Sequence, residues 1–146
     1  MPENGQKPGL KPAVSVARTA TVMETIRAMV AGNVSAVVVL EAGRLAGVFT
    51  ERDVVVRVVL GALDADKTPV AEVMTRNPVT VREDADRSSV LRIMNERHIR
   101  HLPVVDAEGR VVAMLSMRHL LRAEVFDLEQ TVWELVKETA IDGPGG

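Results

Sequence analysis

Val34-Ser-Ala-Val-Val-Val-Leu-Glu-Ala-Gly-Arg-Leu-Ala-Gly-Val-Phe49 carries an apolar, valine-rich run into Ala42-Gly43 and out again through a second apolar run. β-Branched residues favour strands and Ala-Gly supplies the turn, so this stretch predicts a buried β-hairpin. The same pattern returns further along the chain. Val14 and Val16 fall on Val79 and Val81 at an offset of 65 residues, as do Arg27 and Met29 on Arg92 and Met94 and Val39 on Val104. One extra residue near Ala107 moves the offset to 66, and Gly43-Arg44 then falls on Gly109-Arg110. Two copies of one small unit therefore stand in tandem, and each is too short to bury a sizeable core alone.

Around the first hairpin, Val14-Ser-Val16 reads as an extended piece and Thr21-Val-Met-Glu24 as a capping box opening a helix. Val22, Ile26, Met29 and Val30 form one apolar stripe, and Gly32-Asn33 stops that helix. Thr50-Glu-Arg-Asp53 is a second cap, and it assigns Val54-Val-Val-Arg-Val-Val-Leu60 to a helix although the run suits a strand by propensity. The second unit repeats the order, with strands expected at Val79–Val81, Leu102–Val105 and Val111–Leu115 and helices at Asp86–Arg97 and Met117–Val125. Each unit is β-α-β-β-α, and the fold class is α/β of the α+β kind. The boundaries expected are a flexible leader over 1–11, unit 1 over 12–66, a linker over 67–76 with a short helical turn at Val70–Met74, and unit 2 over 77–125. Val125, Leu128, Val132, Leu135 and Val136 then predict a separate amphipathic helix over 126–140, and Ile141 to Gly146 a disordered tail.

The 146 residues are 47% hydrophobic and 26% charged, a globular balance, with a formal charge of −2. That charge, with two Phe, one Trp and no Tyr, argues against nucleic-acid binding. Cysteine is absent, which removes disulfides and thiolate chemistry and fits a reducing, cytoplasmic setting. No run reaches the ~20 apolar residues that span a bilayer. No phosphate-binding loop, dinucleotide fingerprint, nucleophile elbow or His-Glu-x-x-His pattern occurs, so no catalysis is expected. His98 and His101 could touch a metal only across two different elements, so no metal site is expected.

Gly47-Val-Phe-Thr-Glu-Arg-Asp53 invites a functional reading, because a strand-to-helix junction offers free amides to a phosphate. Asp53 can accept from both hydroxyls of a ribose, and Gly47 would let the backbone approach a bound ring. Thr50 and Asp53 also suit a plain capping box, and Arg52 suits a solvated surface.

With Val34 to Leu40, Ile99-Arg-His-Leu-Pro-Val-Val-Asp106 and Gly47 to Asp53 in this order and repeated, residues 12–125 resemble a tandem pair of CBS domains, the Bateman module named after cystathionine β-synthase. The resemblance implies a non-catalytic regulatory module whose units pack through their sheets with pseudo-two-fold symmetry and pair again as a homodimer. It implies clefts for adenosine compounds: AMP, ADP or ATP, and less readily S-adenosylmethionine. Thr50 and Asp53 would hold phosphate and ribose, aided by Arg52, and Val48 would line the adenine slot. Asn77, Pro78, Val79, Arg82 and Ile99 would complete the cleft from the other unit. The second copy departs from this pattern, since Ala113-Met-Leu-Ser-Met-Arg-His119 replaces Gly by Ala and Asp by His. An imidazole cannot accept two hydroxyl bonds as a carboxylate does. The second cleft, with Met114, Ser116, His119 and Arg100, therefore suits an anionic phosphate better than a ribose. An alternative is an interaction module with vestigial clefts, acting on a regulated protein partner through its dimer surface and the Val125–Val136 helix.

Overall fold

The computed structural model of the chain describes residues 10–142, with side chains described from 12 to 139. Most of the expected leader and the end of the expected tail lie outside the described residues. The elements run β1 (Leu10–Lys11), β2 (Ser15–Ala17), α1 (Val22–Gly32), β3 (Ala36–Glu41), β4 (Arg44–Thr50), α2 (Glu51–Asp53, continuing as a π-helix over Val54–Val59), β5 (Thr75–Arg76), β6 (Val81–Arg82), α3 (Arg87–Arg97), β7 (His101–Val105), β8 (Val111–Ser116) and α4 (Met117–Asp142).

The repeat is exact in its local devices. Thr21 and Asp86 cap α1 and α3 by accepting from the third amide on, that of Glu24 and that of Ser89. Asn33 and His98 end those helices in the left-handed conformation, at φ 51° and 55°. Val16 pairs in parallel with Val39 and Val81 with Val104, and each hairpin has a register shift just past that pair. The insertion in the second unit sits in its hairpin loop. Ala42-Gly43 closes the first hairpin with φ positive at both residues. In the longer second loop, Asp106 Oδ1 accepts from the amides of Glu108 and Arg110.

Among the described residues there are two four-stranded sheets, ordered β2-β3-β4-β5 and β1-β8-β7-β6. Each is completed from the neighbouring repeat. β5, which leads into the second unit, pairs with β4 of the first, and β1, which leads into the first, pairs with β8 of the second.

Each sheet covers its own helices on one face. The first core gathers Val22, Met29, Val37, Val39, Phe49 and Val58, and the second Val90, Met94, Leu102, Val104 and Leu120. A third cluster joins the sheets face to face, with Ala36, Val38 and Val48 from the first unit against Met114 from the second. This is the pseudo-two-fold packing expected from the sequence.

Two sequence expectations are corrected and two are refined. The last two residues of the leader form strand β1. The segment 67–76 carries the expected short helical turn, as a 3-10 turn at Val70–Glu72, but it is more than a connection, because it also forms strand β5 and buries Val70, Ala71, Val73 and Met74 in the first core. No break separates the second unit's last helix from the C-terminal one, since α4 is continuous for 26 residues. The Val54–Val59 run is helical but wound with i to i+5 bonds, such as Leu60 N–H to the Val55 carbonyl at 3.1 Å.

Gly47 owes its identity to the protein's own packing and not to open space for a ligand. A Cβ there would lie 2.5 Å from Met74 Sδ and 2.7 Å from the Thr75 carbonyl oxygen. Gly47→Ala is expected to force β5 away from β4 and to lower stability by about 1–3 kcal/mol. Urea denaturation checks this, and an unchanged midpoint would contradict it.

Candidate functional site

Thr50 ends β4 and caps α2. Its hydroxyl accepts from the Asp53 amide at 3.3 Å, while Asp53 Oδ2 accepts from the Thr50 amide at 2.9 Å and from the Thr50 hydroxyl at 3.2 Å. The capping box read from the sequence is thus formed in full. It leaves Asp53 only 8% exposed, with Oδ1 3.4 Å from Arg57 Nε. Arg57 also donates to the carbonyls of Val73 at 3.0 Å and Met74 at 2.9 Å. One guanidinium therefore ties the carboxylate to the residues just before β5, the strand that leads into Asn77 and Pro78. The sequence signal for Arg57 was its i, i+4 spacing from Asp53 on a helix.

A second junction crosses the units. Ser35 Oγ and His101 Nε2 lie 2.9 Å apart, and the Ser35 carbonyl accepts from Glu51 N–H at 3.0 Å. The equivalent bond in the second unit runs from Met117 N–H to the Arg100 carbonyl at 2.8 Å. The start of α2 thus meets the entry to β7, where Ile99 and Arg100 stand immediately before His101. Sequence reasoning weighed His101 but did not single out Ser35 as its partner; a cross-unit pair has no local spacing signal.

Burial holds the His101 imidazole below its ordinary value of 6.5, with the Glu51 carboxylate pulling it back up and Arg100 and His119 pushing it further down. A half-buried neutral imidazole fits a hydroxyl partner at this seam.

The other expected residues fall as follows. Arg52, Asn77, Arg82 and Arg100 are exposed, and Pro78, Val79, Ile99, Ser116 and His119 are half-buried. Asn77 adopts a left-handed φ of 47° as the chain leaves β5. Val79 and Ile99 lean on the second core. Val48 and Met114, expected to line the two clefts, are instead packed against the opposite sheet, at 6% and 7% exposure. Their strand positions point them into the contact between units, so neither offers an open face to a ring. His98 is the left-handed cap of α3 and His101 is engaged with Ser35. Among the described residues no group of three or more His, Asp or Glu is placed to hold a metal ion. Among them, too, no helix is long and apolar enough to cross a membrane.

The CBS domain profile matches residues 10–59 and 70–125, one match for each repeat. The chain belongs to the CBS domain family. Its similarity to the CBS domain-containing protein CBSCBSPB5 of Arabidopsis thaliana is 35% identity over 121 residues, 82% of this chain and 22% of that protein. The chain thus spans about a fifth of the length of such curated relatives. A CBS domain protein of Pyrobaculum aerophilum, solved in complex with AMP, superposes with a TM-score of 0.72 at 30% identity, covering 82% of this chain and 93% of that one. The cytosolic domain of the Mg2+ channel MgtE in complex with ATP gives 0.65 at 33% identity, covering 78% and 46%. The CBS domain pair of protein MJ0100, in complex with 5′-methylthioadenosine and S-adenosyl-L-methionine, gives 0.71 at 26%, covering 78% and 93%.

The CBS seam carries a pH dependence. The folded chain resists protonating His101, whereas the unfolded chain takes up that proton once the pH falls below about 6.5. The stability tied to His101 is therefore full above 6.5 and is lost as the pH falls through the lower folded value. Relative to His101→Gln, the wild-type protein is expected to lose stability between pH 7.5 and 5. Parallel denaturation midpoints for the two proteins across that range would refute it.

Proposed function

We propose that this CBS pair is a non-catalytic regulatory module that senses an adenosine-containing ligand in the cleft beside Thr50 and Asp53. AMP, ADP and ATP are favoured and S-adenosylmethionine less so, which makes the module a reporter of cellular energy state. It works in the cytoplasm as a homodimer. The observation that carries the reading is the state of the Asp53 carboxylate. Its Oδ2 is fully used by the cap, but Oδ1 has only a long contact to Arg57 and keeps acceptor capacity for ribose hydroxyls. Thr50 stands beside it, and its hydroxyl is a partner for a phosphate. Arg52 and Arg82 are exposed cations available to further phosphates. Asn77, Pro78, Val79 and Ile99 form the wall supplied by the second unit, and Val48 lies beneath the cleft as part of the sheet contact. Neighbours of the same fold that carry AMP, ATP or S-adenosylmethionine support the ligand class.

The second cleft, with Ser116, His119, Arg100 and the buried Met114, lacks a carboxylate at the ribose position. We assign it a weaker, phosphate-dominated affinity.

A ligand acts here only by favouring one arrangement of the units or of the dimer over another. The alternative function, an interaction module with vestigial clefts, is supported by the apolar residues that α4 exposes, among them Phe126 and Trp133. Under that alternative Asp53→Ala leaves the protein's function intact.

Isothermal titration of nucleotide-stripped protein with AMP, ATP and S-adenosylmethionine decides between them. Saturable binding that Asp53→Ala weakens by roughly 1.5–3 kcal/mol, the scale of a hydrogen bond to a charged group, is expected. Absence of heat from all three ligands at millimolar concentration would leave Thr50 and Asp53 as a helix cap alone.

A further inference from the structure

The long helix α4 contains an apolar seam that none of the described residues covers. Leu121, Val125, Leu128, Val132 and Leu135 follow one another at intervals of 4, 3, 4 and 3 residues. That is the 3.5-residue spacing of a coiled-coil seam, with Val at the a positions and Leu at the d positions. The five side chains are between 48% and 62% exposed. The body of the second unit holds a different face of the helix. Leu120 is buried in the second core, and Arg87 of α3 grips Glu124 at 3.2 Å and Asp127 at 2.7 Å. The root of α4 is thus fixed, and its seam is presented sideways and free.

We propose that this seam pairs with the same seam of a second copy as an antiparallel two-stranded coiled coil, in the register that sets Leu121 against the partner's Val132 and Val125 against the partner's Leu128. The charges flanking the seam choose this arrangement. Arg122 and Glu129 occupy successive e positions, which face each other across an antiparallel pair. In the stated register each Arg122 meets the partner's Glu129, twice over by symmetry. Shifting the antiparallel pair by one heptad in either direction sets Arg122 against itself or Glu129 against itself. A parallel pair places Glu124, a g position, beside the partner's Glu129 on both sides, which is repulsive. The seam is therefore complementary to itself in one direction and one register. This pairing rests on the homodimer reading above and adds to it the helix, the direction and the residues that meet. It is independent of the ligand.

The chain has no cysteine, so single thiols report the geometry without background. Full-length Leu121→Cys and Val132→Cys proteins, mixed and mildly oxidised, are expected to form a disulfide-linked heterodimer, while neither protein alone links to itself. Self-linking of each variant alone would show a parallel pair and overturn the proposal. A dimer by sedimentation or light scattering that never links in the mixture would keep the homodimer and overturn the coiled coil. A monomer at tens of micromolar would overturn both and leave the seam to another protein. The charges give an independent check. Arg122→Glu and Glu129→Arg should each weaken dimerisation at least several-fold, and the double exchange R122E/E129R should restore it. Failure of the double exchange to restore the dimer would count against the register.

Discussion

The contact between the two sheets is the constraint on which everything else rests. Each repeat has enough apolar sequence to cover one face of its sheet with its own helices, and no more. The outer face, with Ala36, Val38 and Val48 in the first unit and Met114 in the second, is apolar and has no helix of its own to lie under. Half-buried Leu40, Leu45 and Val111 extend the same surface. A lone unit would leave it in water, at about 25 cal/mol for every Å² of apolar area. Packing the two faces together removes that cost and generates the quasi-two-fold relation between the junctions, which is where the candidate clefts lie. Fold and site are therefore consequences of one burial.

The two junctions are alike in backbone and unlike in chemistry. Both begin a helix with a hydroxyl residue, Thr50 or Ser116, and in both the first helical amide donates to the carbonyl at the entry to β3 or β7. In the first, a carboxylate closes the capping box and is held from behind by Arg57. In the second, His119 takes that position, and an imidazole brings at most one acceptor to the same place. A cap and a ligand site draw on the same atoms, because both need oxygen acceptors and amide donors at a helix start. Asp53 serves the first purpose through Oδ2, and its Oδ1 lies 3.4 Å from Arg57 Nε.

Much of the fold was legible because the sequence states it twice. The valine run 34–40, the turns at Gly43 and Gly109 and the helix stops at Asn33 and His98 each had a counterpart that confirmed the reading. What escaped notice was non-local. β5 and the buried Met74 sit in a stretch rich in turn residues, and only pairing with β4 makes that stretch part of a core. The single continuous α4 was hidden because the repeat ends at Val125, so the residues beyond it have no counterpart in the first unit and read as a helix of their own. Gly47 looked like an opening for a ligand because sequence shows that a side chain is missing, not what fills the space. The capping box at Thr50 and Asp53 was read correctly because its partners lie three residues apart; the Ser35 to His101 link was not seen because its partners lie 66 apart.

The exchange of leading strands between the repeats has a bearing on the order in which the protein can be made. The first unit receives its fourth strand as soon as Thr75–Arg76 leaves the ribosome, a short wait after β4. β1 must hold its edge until β8 has been synthesised, since Leu10 pairs with Leu115. β1, translated long before β8, is thus seated late, and a loop of more than a hundred residues closes when it docks. Until then the edge of the second sheet at β8 is bare, an invitation to any passing strand that the nascent chain must answer with Leu10–Lys11.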